Sequence, residues 1–418
     1  MPLGPASIEI IAPAGDMASL RAAIQAGAQS VYFGVKQLNM RARSSHNFDL
    51  DSLAEIVSLT HQSGLRAYLT LNTIVYDREI PIMERILLSA KKAGVDAVIL
   101  SDPTALEFAS DQGLEIHLST QLNISNIRTL KFYARYADVA VLARELNLNQ
   151  VKEISRQITE QNITGPSGKP IRLEIFAHGA LCMAISGKCY LSLHETNSSA
   201  NRGTCQQTCR KAYSVTEKET GYQLDIDNEY IMSPKDLATI DFLDKVLDAG
   251  VSVLKIEGRA RSPEYVKTTV SCYKAALQSI SDGSYGPEKI RQWKQELSTV
   301  FNRGFWDGYY LGRRLGEWSD RYGSHATKRK VYLGKGNNYF SRPQVAEFII
   351  ESGSVSVGDE ILVIGPTTGV IQTVVEELRV DDKPVQQAGK DNAVSIPMAQ
   401  KVRRSDKLYK LAPSEKGD

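Results

Sequence analysis

Cysteine is scarce in this chain, five in 418 residues, and five over such a length do not build a disulfide scaffold. An excess of either charge is missing too. Fifty Lys+Arg face 48 Asp+Glu for a net charge of +2, which argues against wholesale coating of nucleic acid but leaves room for a local basic surface. No apolar run approaches the ~20 residues of a membrane helix. The opening MPLGPASIEIIAPAGD lacks a basic n-region and carries Glu9 inside its only apolar stretch, so no signal peptide is expected. There is no Walker A loop and no Gly-x-Ser-x-Gly elbow. His194-Glu195 begins a zincin motif, but Ser198 stands where the second histidine is required. What remains is ordinary globular composition, 42% hydrophobic and 23% charged, at a length that suggests two or three domains. A cytoplasmic protein without a membrane partner is expected.

The first two thirds alternate short β-branched runs with amphipathic stretches. Strands are predicted at residues 8–11, 30–34, 66–71, 97–101, 115–119, 139–143, 172–177 and 252–257. Helix-period segments lie between them, among them MASLRAAIQAG, IMERILLSAKKAG and LATIDFLDKVLDAG. These three end in Ala-Gly, where glycine supplies the left-handed residue that stops a helix. Eight β/α units point to a (β/α)8 TIM-like barrel of the α/β class. A doubly wound open sheet is the alternative, although no Gly-x-Gly-x-x-Gly opens any helix. Two further helices should follow the eighth strand. Past His325 the sequence changes to short strands with turn signals, which predicts a small all-β barrel domain. The expected division is 1–325 for the barrel and its trailing helices and 326–418 for the small domain.

One connection breaks the rhythm. Between Ala177 and Lys235 a cysteine-rich insertion, about 178–232, follows the seventh strand and includes a hairpin-like segment, YSVTEKETGYQLDIDNEYIMS. Its position predicts a place at the C-terminal face of the barrel, where such enzymes carry their chemistry. Four of the five cysteines fall in it, as Cys182-x6-Cys189-x15-Cys205-x3-Cys209. Four thiolates suit a structural zinc or an iron–sulfur cluster. The absence of a Cys-x2-Cys knuckle favours the cluster, which tolerates ligands spread along a loop. Gly187 and Gly203 would let backbone approach the cluster. Lys188, Arg202 and Arg210 could offset the thiolate charge. Cys272, on a helix pattern, reads as a buried core thiol.

Other candidates sit at strand ends. His178 could face the barrel mouth as a catalyst, though a strand-end histidine is as often structural. In the eighth strand Lys255, Glu257 and Arg259 share one face. They could form an internal salt-bridge layer or, with Arg261, an anion site. Arg41 and Arg43, in a loop after the second strand, could join the same positive mouth.

The segments IEIIAPAGDMASLRAAIQAGAQSVYFG, NMRARSSHNF, HGALCMAISGKCYLS, NRGTCQQTCR, SPKDL and LKIEGRARSPEYV resemble, in sequence and order, the collagenase-like peptidases of family U32, whose letter denotes unknown catalytic type. The resemblance covers nearly the whole chain. Several members of that family are oxygen-independent hydroxylation proteins with a 4Fe-4S cluster, acting on tRNA, on rRNA or on the ubiquinone ring. Length and a single small C-terminal domain are similar to the tRNA branch. The implied activity is therefore formation of 5-hydroxyuridine at the wobble position, with prephenate as hydroxyl donor. The resemblance implies cluster ligands at Cys182, Cys189, Cys205 and Cys209. In the ubiquinone branch one ligand follows the Lys-Asp-Leu motif, and here Ala238 stands there.

The implied partners are a tRNA anticodon region and a small dianionic donor, with a redox partner or homo-oligomer left open. Arg41, Arg43, Lys255 and Arg259 would receive the dianion. Arg303, Arg313, Arg314, Arg321, Lys328, Arg329 and Lys330, interleaved with Trp306, Tyr309, Tyr310 and Trp318, would offer phosphate contacts and stacking surfaces. At least half of these aromatics are expected to pack between the domains instead. Glu257, Arg259 and His178 are the candidate catalytic residues. The alternatives are a collagenase-like peptidase, for which no nucleophile and base are recognisable, hydroxylation of rRNA, and an RNA-binding module whose cluster is structural.

Overall fold

A computed structural model describes residues 8–43, 47–212, 218–219, 232–312, 317–321 and 323–414. Its strands β1 (Glu9–Pro13), β2 (Ser30–Phe33), β3 (Arg66–Leu71), β4 (Ala97–Leu100), β5 (Ile116–Leu118), β6 (Val139–Val141) and β7 (Arg172–Gly179) pair in parallel, each with the next. Two short strands, β8 (Asp236–Ala238) and β10 (Phe305–Trp306), flank β9 (Val253–Ile256) in sequence. β9 closes the cylinder by pairing in parallel with both β7 and β1. The closed barrel is thus β1–β7 plus β9, the eight strands expected. β8 is an addition. It runs antiparallel to the overhanging end of β7, where His178 faces Ala238 and Gly179 faces Leu237, and it carries β10 on its outer side.

Helices α1 (Met17–Ala26), α2 (Leu53–Gln62), α3 (Ile80–Ala93), α4 (Pro103–Asp111), α5 (Ile127–Tyr133) and α6 (Leu148–Glu160) alternate with the strands. α7 (Leu191–Thr196) lies in the insertion, α8 (Leu243–Asp248) precedes β9, and α9 (Pro263–Ser281) and α10 (Pro287–Ser298) follow it. Gly27 and Gly94 end α1 and α3 at φ 74° and 77°, as their Ala-Gly endings predict. The helix expected over 237–250 is shorter. Its first residues are drawn into β8, because the β7 overhang offers ladder partners and Tyr273 Oη accepts from Thr239 N at 3.0 Å. Tertiary pairing overrides the helical period there.

The barrel interior holds Ile11, Tyr32, Tyr68, Ile99, Val139 and Val253, with a Lys–Glu pair beneath the mouth. Lys255 Nζ donates to Glu174 Oε1 at 2.6 Å, and both are buried. A larger apolar core joins the strands to the surrounding helices.

From Lys328 to Pro413 the chain forms an antiparallel sheet around its own core of Leu333, Phe348, Ile361, Val363, Ile396 and Leu408. The long strand Lys328–Phe340 lies at its centre, between Val345–Ile350 and Lys407–Pro413. This domain docks on α1 and α9. Gln25 bridges its tip, donating to Thr368 O and accepting from Val370 N, each at 2.9 Å. Lys267 Nζ donates to Val370 O at 2.8 Å. No helix among the described residues is long and apolar enough to cross a membrane.

Candidate active site

A cavity of about 750 Å³ opens at the C-terminal ends of the barrel strands, with the insertion as one wall. Tyr32, Thr70, Ile99, Val141, Phe176 and Lys255 form its floor, one from each of β2, β3, β4, β6, β7 and β9. Cationic side chains dominate the lining: Lys255 at the floor with Arg41, Arg43, Arg144 and Arg259 above it, then Arg210, Lys211, Arg261, Arg303 and Arg321. Glu257 is the single carboxylate among the described lining residues.

The alternation along β9 and its extension aims Lys255, Glu257 and Arg259 into this space, but they do not pair with one another. Lys255 takes Glu174 and lies 4.8 Å from the Tyr32 ring centroid. Glu257 accepts from Arg41 Nη2 at 2.9 Å and from Tyr32 Oη at 3.2 Å. Burial opposes the Glu257 carboxylate, yet Arg41, Arg144 and Arg259 outweigh it and hold its pKa down to about 2. Arg259 Nη2 donates to Asn39 Oδ1 at 3.0 Å, and its buried Nη1 has no hydrogen-bond partner. Burial lowers the Arg259 pKa to about 10, partly offset by Tyr32 and Glu257. A salt-bridge layer therefore exists deeper, at Lys255–Glu174, while Arg259 is left with donor capacity at the mouth. Arg43 is exposed at the rim, its amide donating to Gly203 O at 3.2 Å. Arg261 approaches Asp236 at 3.6 Å and lies 3.7 Å over the Phe301 ring.

Sequence reasoning missed Arg144. It follows β6, as Arg41 follows β2, so the same top-loop logic could have found it. Its guanidinium sits 3.9 Å over Phe176 and its buried Nε has no partner. The buried Glu174 was missed as well, hidden in an apolar run that reads as plain strand.

Cys182, Cys189, Cys205 and Cys209 all line the cavity. Burial pushes the Cys209 thiol up, Arg210 opposes this, and the other three thiols add to the rise, which places all four in one electrostatic neighbourhood. Arg41 is held charged against its burial by Glu257 and then by Cys182 and Cys205. Among the described residues no three His, Cys, Asp or Glu side chains form the tight set that a single metal ion takes. The donor set, four thiols spread over one cavity wall beside two guanidinium groups, fits a wider cluster. Cys272 is apart, 1% exposed on α9 and donating to Glu296 Oε2 at 3.4 Å.

Three expectations about this neighbourhood change. The glycines face protein rather than the thiols. At Gly203 (φ 79°) a Cβ would stand 2.4 Å from Asn39 O, and at Gly187 (φ 78°) 2.9 Å from Gln121 Cγ, so both seat the insertion on barrel loops. Arg202 is engaged elsewhere, bonded to the Glu79 carboxylate and the Ile74 carbonyl beneath the Tyr76 ring, and Lys188 is exposed outside the lining. Arg41 and Arg210 are the cations beside the thiols. His178 does not face the mouth. A register shift between Phe176 and His178 on β7 re-aims it into a cage of Tyr265, Tyr273 and Phe305. There burial lowers its pKa to about 4, against the pull of Asp236.

Of the cations assigned to RNA contact, Arg303 and Arg321 line the cavity. Lys328 and Lys330 pair with Glu360 and Glu264, and Arg329 is exposed. Trp306 and Tyr310 are buried, Tyr310 Oη donating to Phe176 O at 3.0 Å. Tyr309 meets Trp306 edge-on, and Trp318 bridges to Pro234. Arg313, Arg314 and nearly all of the hairpin-like segment lie outside the described residues.

A family model described as Peptidase family U32 matches residues 15–320. A protein named "Collagenase" from Porphyromonas gingivalis (strain ATCC BAA-308 / W83) is 58% identical over 407 residues, 97% of this chain and 98% of that protein. "tRNA hydroxylation protein P1" from Bacillus subtilis (strain 168) is 30% identical over 381 residues, 88% of this chain and 87% of that protein. "23S rRNA 5-hydroxycytidine C2501 synthase" from Escherichia coli (strain K12) is 35% identical over 317 residues, 74% of this chain and 46% of that protein. Likeness to RNA-hydroxylating proteins is thus present, at lower identity than likeness to the collagenase-named protein. With its family model matched across the barrel and a relative aligned almost end to end, this chain belongs to peptidase family U32.

Proposed function

We propose that the protein is an iron–sulfur enzyme that hydroxylates RNA without molecular oxygen, forming 5-hydroxyuridine at the wobble position of tRNA with prephenate as donor. The observation that carries this reading is the convergence of four thiols and a strong cation excess on one cavity at the barrel mouth. Cys182, Cys189, Cys205 and Cys209 would hold a 4Fe-4S cluster, which supplies one-electron or Lewis-acid chemistry when bound. Arg259 and Arg144, each with an unmatched buried N–H, receive the donor's carboxylates with Arg41 and Lys255. Glu257 stays ionised and keeps the Arg41 guanidinium aimed across the mouth. The uridine must be splayed out of its loop to enter. Aromatisation of the donor with loss of carbon dioxide releases one water equivalent. Placing that oxygen on C5 in place of hydrogen leaves two protons and two electrons, which an external acceptor must take, and this is the place for a redox partner.

The collagenase-named relative favours a second reading, peptide hydrolysis. Against it, no histidine is among the described residues lining the cavity, and its one carboxylate is committed to Arg41 and Tyr32. A serine or cysteine nucleophile there has no histidine base beside it among the described lining residues.

Mass spectrometry of tRNA nucleosides from cells lacking and regaining the gene tests the proposal. Loss and restoration of 5-hydroxyuridine and its derivatives is expected. An unchanged tRNA profile beside a lost rRNA hydroxycytidine moves the substrate to rRNA, and gelatin cleavage by the purified protein with unchanged nucleosides replaces the proposal with the second reading. Cys189→Ala should keep the circular dichroism of the barrel and abolish product; wild-type product from that variant would rule out a catalytic cluster.

A further inference from the structure

The cations of the cavity form two groups. One, described above, surrounds Glu257. The other surrounds Phe301 and Asp236, where β8 and β10 extend the barrel wall. Arg303 is 9% exposed, and its Nη1 lies 3.3 Å from Asp236 Oδ1. Arg261 Nη2 lies 3.6 Å from the other oxygen of the same carboxylate. The Phe301 ring centroid lies 3.7 Å from the Arg261 guanidinium and 5.1 Å from that of Arg303, within cation–π reach of both. Arg321 also lines the cavity, two residues past Ser319, whose amide donates to Ser233 O at 2.8 Å, and its Nε is buried without a hydrogen-bond partner. Arg210, beside them, spends its donors on Leu181 O, Pro234 O and Ser233 Oγ. Asp236 is the one carboxylate these guanidinium groups share among the described residues, so a net positive, partly desolvated wall is left facing the cavity.

We infer that this wall is a phosphate subsite, in which Arg261, Arg303 and Arg321 bind a phosphate ester while the group around Arg259 receives a separate anion. The inference rests on the reading of an RNA substrate only for its source. A nucleotide whose base enters the barrel carries a phosphate on its sugar, and planar guanidinium forks match the oxygens of that group. Separation of the two cation groups by function explains why one is compensated by Glu257 and the other by Asp236.

Two probes separate the sources. Uridine 5′-monophosphate and uridine are titrated calorimetrically into the purified holoprotein. A labelled RNA hairpin with a loop uridine is titrated across a salt series. Wild type, Arg321→Gln and Arg303→Gln are compared, the first variant removing no ion pair among the described residues. The monophosphate should bind wild type about tenfold more tightly than uridine, and this preference should vanish in Arg321→Gln. The slope of log affinity against log salt should shrink by about 0.7 per lost contact with the hairpin. A monophosphate preference with an unchanged hairpin slope assigns the subsite to free phosphate esters. A changed slope without that preference assigns it to the polymer backbone. Hairpin binding absent while the monophosphate preference stands sinks the RNA substrate but keeps the subsite. No preference and no slope change in either variant overturns it.

Discussion

The Glu257 carboxylate lies among Arg41, Arg144 and Arg259 with Tyr32 at its other oxygen. Replacing it with glutamine strands buried guanidinium groups, which costs about 3 kcal/mol where a buried pair is broken. Glu257→Gln should lower the melting temperature accordingly, and a dicarboxylate such as malonate should raise that temperature more in the variant than in wild type. Equal shifts would show that these arginines do not form an anion site. His178 makes an independent prediction. Its pKa falls from 6.5 to about 4 because burial disfavours the cation, so between those values the unfolded chain binds more protons than the folded one and stability rises with pH. From pH 7 to 5 wild type should lose roughly 2 kcal/mol more than His178→Gln in urea unfolding. Identical losses would place His178 outside that cage. At this scale the sequence was partly legible. Period two aimed Lys255, Glu257 and Arg259 into the cavity, whereas a place at the end of the seventh strand misdirected His178, since a one-residue register shift leaves no mark in local composition.

Between β7 and β8 the insertion leaves and rejoins the barrel through one antiparallel ladder, and Gly203 presses it onto the β2 loop. At φ 79°, with Asn39 O 2.4 Å from a would-be Cβ, Gly203→Ala must strain the backbone and displace that loop, at a cost of about 2–4 kcal/mol. On the proposal that the insertion holds an iron–sulfur cluster, the damage should appear first there, as less iron and acid-labile sulfide per chain than wild type, with unchanged far-ultraviolet circular dichroism. Full iron content in Gly203→Ala would mean that the insertion holds its shape without this contact. Strands whose β-branched runs were flanked by Ala-Gly helix ends were readable in advance. β8 and β10 were not, being two or three residues each and created by pairing partners far away in sequence. The folded course of the insertion was equally hidden, because it depends on barrel loops rather than on a period of its own.

The barrel and the C-terminal sheet meet through α1 and α9, and Gln25 satisfies both a donor and an acceptor of the sheet's tip. Gln25→Ala removes two hydrogen bonds, about 2 kcal/mol of docking, and limited proteolysis between residues 321 and 328 should accelerate several-fold; an unaltered cleavage rate would show that the remaining contacts, among them Lys267, Lys330 and the packing of Leu362 and Val370, hold the domains without Gln25. The change of character near His325 announced a second unit, whereas the docking face could not be read, since Gln25 sits on a helix pattern like any solvated side chain.

β9 pairs with β1 and β7 and leads directly into Glu257, Arg259 and Arg261. It is also the last of the barrel strands to leave the ribosome, after the four cysteines of the insertion. A nascent or truncated chain therefore has its thiols, with Arg41 and Arg210 beside them, before it has Glu257, Arg259 and Arg261. The strand that seals the cylinder also brings Glu257, Arg259 and Arg261 to its mouth, so closure of the barrel and completion of that part of the cavity wall are one event.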